Sequence, residues 1–408
     1  RSVLLALLHA CAQNRSDVTI TGLVVDHGLR SGSADEAAQV AATWRQRGVA
    51  VEVLTSPKPH TSSAIEEHAR HARWALLEAW CHRHGVCHLF LGHHRDDQAE
   101  TVLMRMAKGS GPVGLAGMAA VSHRGAMRVL RPLLNTDRAA IEATVVARGL
   151  KPVTDPTNAD PQYLRNRMRQ AAPMLAEIGL NTDSLCQTAA TQRVVAQKLE
   201  REMALAAANC VIIDGLGAGR IDYHRFAAIP DQGTKTGLLG RLLASLGGHH
   251  YPVRRALSER AAQWLTQGFQ ALKPITLGGC LLSPQAQGGR HDVTVWREPA
   301  GAKGAEMLAV KPGDMVRWDG RFAITAPSDT RAGDYTVRAA NQAVWSALRP
   351  ALPDGLVDLP ARLRWSLPAL YRAHEPVAVL APGYLAQQAD CDSWSASFAP
   401  SLPMLRPY

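Results

Sequence analysis

Val86-Cys87-His88-Leu89-Phe90-Leu91-Gly92-His93-His94-Arg95-Asp96-Asp97-Gln98-Ala99-Glu100-Thr101 carries the clearest structural signal in the chain. The apolar run between Gly85 and Gly92 predicts a buried strand. It opens into a Gly-His-His loop, after which Asp97 is placed to cap a helix running to about Ala107. A strand that hands over to a helix through a short polar loop is the unit of an α/β fold.

The same alternation extends upstream. Val18 to Val25 is rich in β-branched residues and ends at Asp26-His27-Gly28, a second strand opening into a loop. Ser33 to Gly48 reads as a helix and Val49 to Leu54 as a third strand. A longer helix follows, with Ile65, Ala69, Ala72, Leu76 and Ala79 at helical spacing. This order predicts a parallel sheet with helices on both faces. Ligands of such sheets bind beyond the carboxyl ends of the strands, so Asp26-His27 and His93-His94 are expected to face one cleft.

Downstream, Leu130-Arg131-Pro132-Leu133-Leu134 leads into a helix and then the turn-rich Thr154-Asp155-Pro156-Thr157-Asn158. A further helix carries Arg165 and Arg169 on one face. From about 180 to 270 the pattern is mainly helical, broken near Gly247-Gly248. Past 300 the texture changes: Lys311-Pro312-Gly313-Asp314 is a turn, and Trp318-Asp319-Gly320-Arg321 signals a hairpin. Three domains are expected, over 1–175 (α/β), 176–295 (mainly helical) and 296–408 (small and mixed). Trp318 and Trp365 read as core residues.

Composition narrows the class. The 408 residues are 46% hydrophobic and 20% charged, a globular balance. No run approaches the roughly 18 apolar residues that span a bilayer, and Val3 to Leu8 lacks the features of a signal peptide. Seven scattered cysteines without a CxxC pair argue against zinc, an iron–sulfur cluster or a disulfide framework, and fit a cytoplasm. A formal charge of +10, from 45 Lys and Arg against 35 acids, suits a polyanionic partner.

Three segments are more specific than composition: Val24-Val25-Asp26-His27-Gly28-Leu29-Arg30 with Ser33 and Glu36; Gly92 to Thr101 with Gly109-Ser110-Gly111 and Gly114-Leu115; and Asp155-Pro156-Thr157-Asn158 with Tyr163 to Arg169. Together with Ala69-Arg70-His71-Ala72-Arg73-Trp74 and Arg131-Pro132-Leu133-Leu134, they resemble the tRNA(Ile)-lysidine synthetases, in the same order and at similar spacing. The resemblance is close over roughly residues 2–175. It thins beyond, where Gly247-Gly248 with Tyr251-Pro252 and Leu277-Gly278-Gly279-Cys280 still look family-like. Those enzymes belong to the PP-loop (N-type) ATP pyrophosphatases.

The resemblance implies a cytoplasmic ligase that uses ATP and Mg2+. A wobble cytidine in tRNA(Ile) with a CAU anticodon is adenylated on its carbonyl oxygen, and free L-lysine then displaces AMP. It implies Asp97, His93, His94, Arg165 and Arg169 at the catalytic centre, with Asp97 as the carboxylate for Mg2+. Ser2, Val25, Asp26, His27 and Gly92 are implied at the nucleotide, and Arg70, Arg73, Asn166 and Arg254 at the tRNA. Adenylation gathers negative charge at the α-phosphate, and lysine must lose a proton before attack. His93, His94 and Asp97 are the available groups, and the sequence leaves the base undecided. A homodimer is left open.

Each motif also has a duller reading. Asp97 and Glu100 at i, i+3 match a helix capping box in Asp form. The His-His pair and the Asp26-His27-Gly28 turn could be structural. Arg165 and Arg169 could decorate a solvated face, and Arg254 with Arg255 could be plain surface. Another PP-loop enzyme, such as a tRNA 2-thiolation enzyme, and a non-catalytic tRNA-binding relative are the alternatives; the cluster-dependent thiolation enzymes carry CxxC pairs, which this chain lacks. The family's Ser-Gly-Gly-x-Asp-Ser loop has no counterpart here: Ser2 matches its last serine and Arg1 stands where aspartate is expected. Two readings stay open: the first strand and loop precede Arg1, which is the expectation, or the protein has lost them together with the ATPase chemistry.

Overall fold

The computed structural model describes residues 2–26, 28, 32–56, 65–124, 127–150, 164–299, 307–328, 335–383 and 394–404. The chain divides into two compact units, Arg1–Lys198 and Leu199–Tyr408. No helix among the described residues is long and apolar enough to cross a membrane.

The first unit contains α1 (Ser2–Ala12), β1 (Thr21–Asp26), α2 (Ser33–Arg45), β2 (Ala50–Thr55), α3 (Ile65–Arg83), β3 (His88–Phe90), α4 (Arg95–Ala107), α5 (Pro112–Leu115), β4 (Val121–Arg124), β5 (Met127–Leu130), α6 (Arg138–Ala147) and α7 (Leu164–Glu177). The long α8 (Thr182–Cys210) is shared between the units. Strands β1 and β2 pair in parallel from Thr21↔Ala50 to Asp26↔Thr55. Strands β3 and β5 also pair in parallel, and β4 returns antiparallel to β5. The expected parallel pairing is therefore present, with an antiparallel hairpin that the sequence reading did not anticipate.

Burial explains the strand positions. Val3, Ala6, Ala41, Trp44, Val49 and Val51 close α1 and α2 over β2. Leu77, Trp80 and Cys81 of α3 pack on Leu89, Met127 and Val129, with Leu23, Val25 and Leu54 against the same cluster. One core thus underlies both parallel pairs, and the carboxyl ends of β1 and β3 carry Asp26 and Gly92-His93-His94 as expected. A third cluster joins Ala99 and Val102 of α4 to Leu185 and Ala189 of α8.

Helix α4 begins at Arg95, with His94 as its extended N-cap (φ −125°). This corrects the expectation that Asp97 is the cap. Asp97 is the third helical residue, and its Oδ2 accepts the His94 N–H at 3.0 Å, the acidic half of a capping box. Asp96 and Asp97 also meet the positive end of the helix dipole.

The second unit contains β6 (Val211–Ile213), β7 (Gly219–Asp222), α9 (Tyr223–Ala227), α10 (Gln232–Leu246), α11 (Arg255–Leu265), β8 (Ile275–Leu277), β9 (Cys280–Gln287) and β10 (Arg290–Arg297). These strands form one sheet in the order β6-β7-β10-β9-β8. This qualifies the expectation that 176–295 is mainly helical: β6 and β8, three residues each, are too short to show a period of two, but β9 and β10 are eight residues each and set a sheet beside the helices. Leu238, Leu239, Leu242, Leu243 and Leu246 bury α10 in the core beneath them.

A second core of this unit gathers Trp318, Phe322, Tyr335, Trp345 and Trp394 between a four-stranded and a three-stranded sheet. The hairpin expected at Trp318 to Arg321 is present, with Trp318 paired to Phe322 across it. Trp318 is fully buried and Trp365 packs against the same core. The Gly247-Gly248 break lies against this hairpin. Gly248 has φ +70°, and a Cβ there would stand 2.1 Å from the Asp319 carbonyl oxygen, so any side chain would push the two turns apart.

Candidate active site

The site is built where β3 runs into α4. Past Phe90 the chain passes through Gly92 to His93 and His94, and the first two turns of α4 then present Asp97 and Glu100. Helix α7 lies against α4 and brings two arginines to those acids. Arg165 donates through Nη2 to Asp97 Oδ1 at 2.5 Å and through Nε to Glu100 Oε2. Arg169 donates through Nε to Glu100 Oε1 at 2.8 Å. Two carboxylates and two guanidiniums balance, which is how α4 keeps Glu100 buried.

The neighbouring histidines are held differently. His94 Nε2 stands 3.5 Å from Asp97 Oδ2. Burial pushes the His93 imidazole down to about 4; Asp97 opposes this, while Arg131, Arg165 and Arg73 reinforce it. His93 is therefore neutral at pH 7. The Nδ1 atoms of His93 and His94 are both buried without a hydrogen-bond partner among the described residues. Buried imidazole nitrogens of this kind call for a partner from outside the described protein atoms, water or ligand.

A glycine-rich loop packs behind the acids. Gln98 pairs with Met118 in both directions, Nε2 donating to the carbonyl at 3.0 Å and Oε1 accepting the amide N–H at 2.7 Å. Arg105 donates to the carbonyls of Gly114 and Gly117, and Arg193 to those of Ala116 and Met118. Gly117 has φ +68°, and a Cβ there would sit 2.7 Å from the Gln98 amide. Within the quoted motif Gly109 has φ +65°, and a Cβ on Gly114 would stand 2.6 Å from the Ser110 Cβ, so both positions favour glycine.

Other expected residues fall as follows. Asp26 is buried at the end of β1, where its Oδ1 accepts the Gly28 N–H at 3.0 Å. Val25 is half-buried and packs against the core cluster beneath the strands. Arg70 is exposed and Arg73 half-buried on α3, and Asn166 is buried on α7. Arg254 is exposed in the second unit. His27, the Ser2 side chain and the Asp155 to Tyr163 segment lie outside the described residues. Glu100, Gln98 and Arg131 were not among the expected site residues, although each stands inside a motif quoted for the family.

The oxygens of Asp97 and Glu100 already have hydrogen-bond partners. One oxygen is taken by Arg165 and the other by the His94 N–H, and both oxygens of Glu100 are taken by arginines. Among the described residues no three His, Cys, Asp or Glu side chains converge as a metal set. Magnesium at a nucleotide site takes one or two carboxylates and fills its other positions from phosphates and water, and Asp97 Oδ2, which accepts a neutral backbone N–H, keeps a lone pair for such an ion.

Residues 2–175 match the model of the PP-loop domain. The tRNA(Ile)-lysidine synthase of Ruegeria pomeroyi is 35% identical over 324 residues, 79% of this chain and 74% of that protein. That of Methylobacterium nodulans is 38% identical over 259 residues, 61% of this chain and 74% of that protein. That of Anaplasma marginale is 29% identical over 391 residues, 92% of this chain and 81% of that protein. With a PP-loop domain holding the acid, imidazole and guanidinium groups just described, and with likeness on this scale to such relatives, the chain belongs to the tRNA(Ile)-lysidine synthase family.

Proposed function

We propose that this chain joins L-lysine to the wobble cytidine of tRNA(Ile) with a CAU anticodon, consuming ATP. The observation that carries the reading is the cluster at the carboxyl end of β3. His93, His94, Asp97 and Glu100 converge there with two arginines from α7, in a domain whose family uses ATP.

The reaction has two displacements. The cytidine carbonyl oxygen attacks the α-phosphate of ATP and expels pyrophosphate, giving an adenylated cytidine. The lysine amine, after losing a proton, attacks the activated carbon and expels AMP. The first step gathers negative charge on phosphate oxygens, which fixed guanidiniums stabilise without reorganising. The second needs a proton acceptor.

His93 is neutral and able to accept, but burial and the surrounding arginines hold it about 4, too low for an efficient base at neutral pH. Phosphate oxygens bound beside those arginines would offset their charge and raise the imidazole again. Asp97 acts by ion-pairing Arg165 and by fixing the His94 backbone. Magnesium would arrive with the phosphates of ATP, and Asp97 is the carboxylate that would hold it.

Residues 1–175 form the catalytic domain in this reading. The later segments 176–295 and 296–408 hold the tRNA body, with Arg254 at its phosphates. The enzyme works in the cytoplasm. The test is ATP-dependent incorporation of labelled lysine into an isoleucine tRNA transcript with a CAU anticodon, with pyrophosphate release followed in parallel. Incorporation with stoichiometric pyrophosphate supports the reading; tRNA binding with neither product overturns it.

A further inference from the structure

Strands β3 and β5 are parallel neighbours in register, Phe90 opposite Leu130, and the Leu91 N–H donates to the Leu130 carbonyl at 2.8 Å. Both strands therefore leave the sheet at the same edge, the edge where α/β sheets bind ligands. His93 comes from β3. From β5 comes Arg131, whose backbone N–H is fixed to the Ala120 carbonyl at 2.8 Å.

The Arg131 guanidinium has unusual surroundings. Nη1 donates to the Ala119 carbonyl at 2.9 Å and to Ser122 Oγ at 3.0 Å, and both acceptors are neutral. Nε is buried without a partner among the described residues, and Nη2 donates to none of them. No carboxylate among the described residues pairs with it. Arg165 and Arg169 on α7 each have one, as does Arg95 on α4.

The neighbourhood is cationic as well. Burial, and after it the charge of Arg70, pull the proton affinity of Arg131 below the usual guanidinium range. Arg131, Arg165 and Arg73 all act on His93 in the same direction. A half-buried guanidinium among other cations, with no counter-charge of its own, is an unfavourable arrangement unless an anion from outside completes it.

We propose that Arg131 is a phosphate-binding residue, its free guanidinium edge receiving a phosphate group at the carboxyl end of β5 beside His93. The proposal rests on the adenylating reading of this site, which brings two sources of phosphate to it: the polyphosphate of ATP and the backbone of the tRNA. A guanidinium suits either, because its planar fork matches two phosphate oxygens at once.

The test compares the full chain with its Arg131→Met variant, and with Arg131→Gln, which keeps a donor for the Ala119 carbonyl should Met disturb the hairpin. Binding of a non-hydrolysable ATP analogue, inhibition by inorganic pyrophosphate, and tRNA affinity across a salt series are measured, with thermal unfolding as the check on folding. If the nucleotide is the source, analogue and pyrophosphate binding weaken by at least about tenfold while the tRNA salt slope is unchanged. If the tRNA is the source, its affinity falls and the slope of log K against log salt shrinks by about one unit, with nucleotide binding intact. Nucleotide and tRNA binding both within about twofold of wild type, in a variant that unfolds like wild type, overturn the proposal. A wild-type chain that binds both substrates but forms no lysidine defeats the proposed function and leaves this comparison readable.

Discussion

Arg165 and Asp97, 68 positions apart in the chain, meet with Nη2 at 2.5 Å from Oδ1 and so tie α7 to α4. The same guanidinium reaches Glu100 through Nε, and Arg169 occupies the other oxygen of that carboxylate. The place of α7 beside the histidines thus depends on two ionised acids in the first turns of α4.

Asp97→Asn keeps an acceptor for the His94 N–H but removes the charge that holds Arg165. Lysine incorporation is expected to fall at least about 100-fold, with tRNA affinity within about threefold of wild type. Incorporation and filter-binding assays on one preparation check this. Near-normal turnover would take Asp97 out of the site.

The Arg165–Glu100 contact can be isolated by a double-mutant cycle of Arg165→Ala and Glu100→Gln in urea unfolding. The Arg165 side chain is 39% exposed against 9% for Glu100, so solvent screens only one partner. A coupling of about 1–2 kcal/mol is expected. Additivity within about 0.3 kcal/mol would show that the pair adds nothing to stability. Arg169→Ala is expected to reduce lysidine formation or tRNA binding about tenfold, and no change in either would return it to a solvated helix face.

His93 gives stability a pH dependence of known sign. Its folded value, about 4, lies below the ordinary 6.5, so between those values the unfolded chain binds the extra proton. Its contribution is therefore full above about pH 6.5 and declines as the pH falls toward 4. After discounting for solvent, the loss is on the order of 2 kcal/mol. Unfolding midpoints at pH 7 and pH 5 should differ more for wild type than for His93→Gln. Equal differences, or an NMR titration of this imidazole near 6.5, would refute the assignment.

In the second unit Asp319 answers two cations, accepting from Arg297 Nη2 at 2.7 Å and from Arg321 Nε at 2.8 Å, where Arg321 is fully buried. Asp319→Ala strands both charges and is expected to destabilise the protein by about 3–5 kcal/mol. Asp319→Asn retains acceptors and tolerates the positive φ of 49° at this turn, so its effect should be smaller. Denaturant unfolding of both variants decides the matter; equal effects would show that charge is not what Asp319 supplies.

Whatever is encoded within a few neighbouring residues was legible along the chain. The strands at Thr21–Asp26 and Ala50–Thr55, the helix through Asp97, the hairpin at Trp318 to Phe322 and the loops after β1 and β3 all carry local signals. Those signals are period-two or helical apolar spacing, glycine stops and turn residues. Packing settled that His94 rather than Asp97 caps α4, that Glu100 is shared by Arg165 and Arg169, and that Asn166 is buried. It also brought Arg131 to the histidines through the β3–β5 pairing, and it buried Arg321 against Asp319. An ion pair between side chains 68 positions apart imposes no spacing on the residues between them. A pattern read along the chain can therefore name the participants, but only packing chooses which charge meets which.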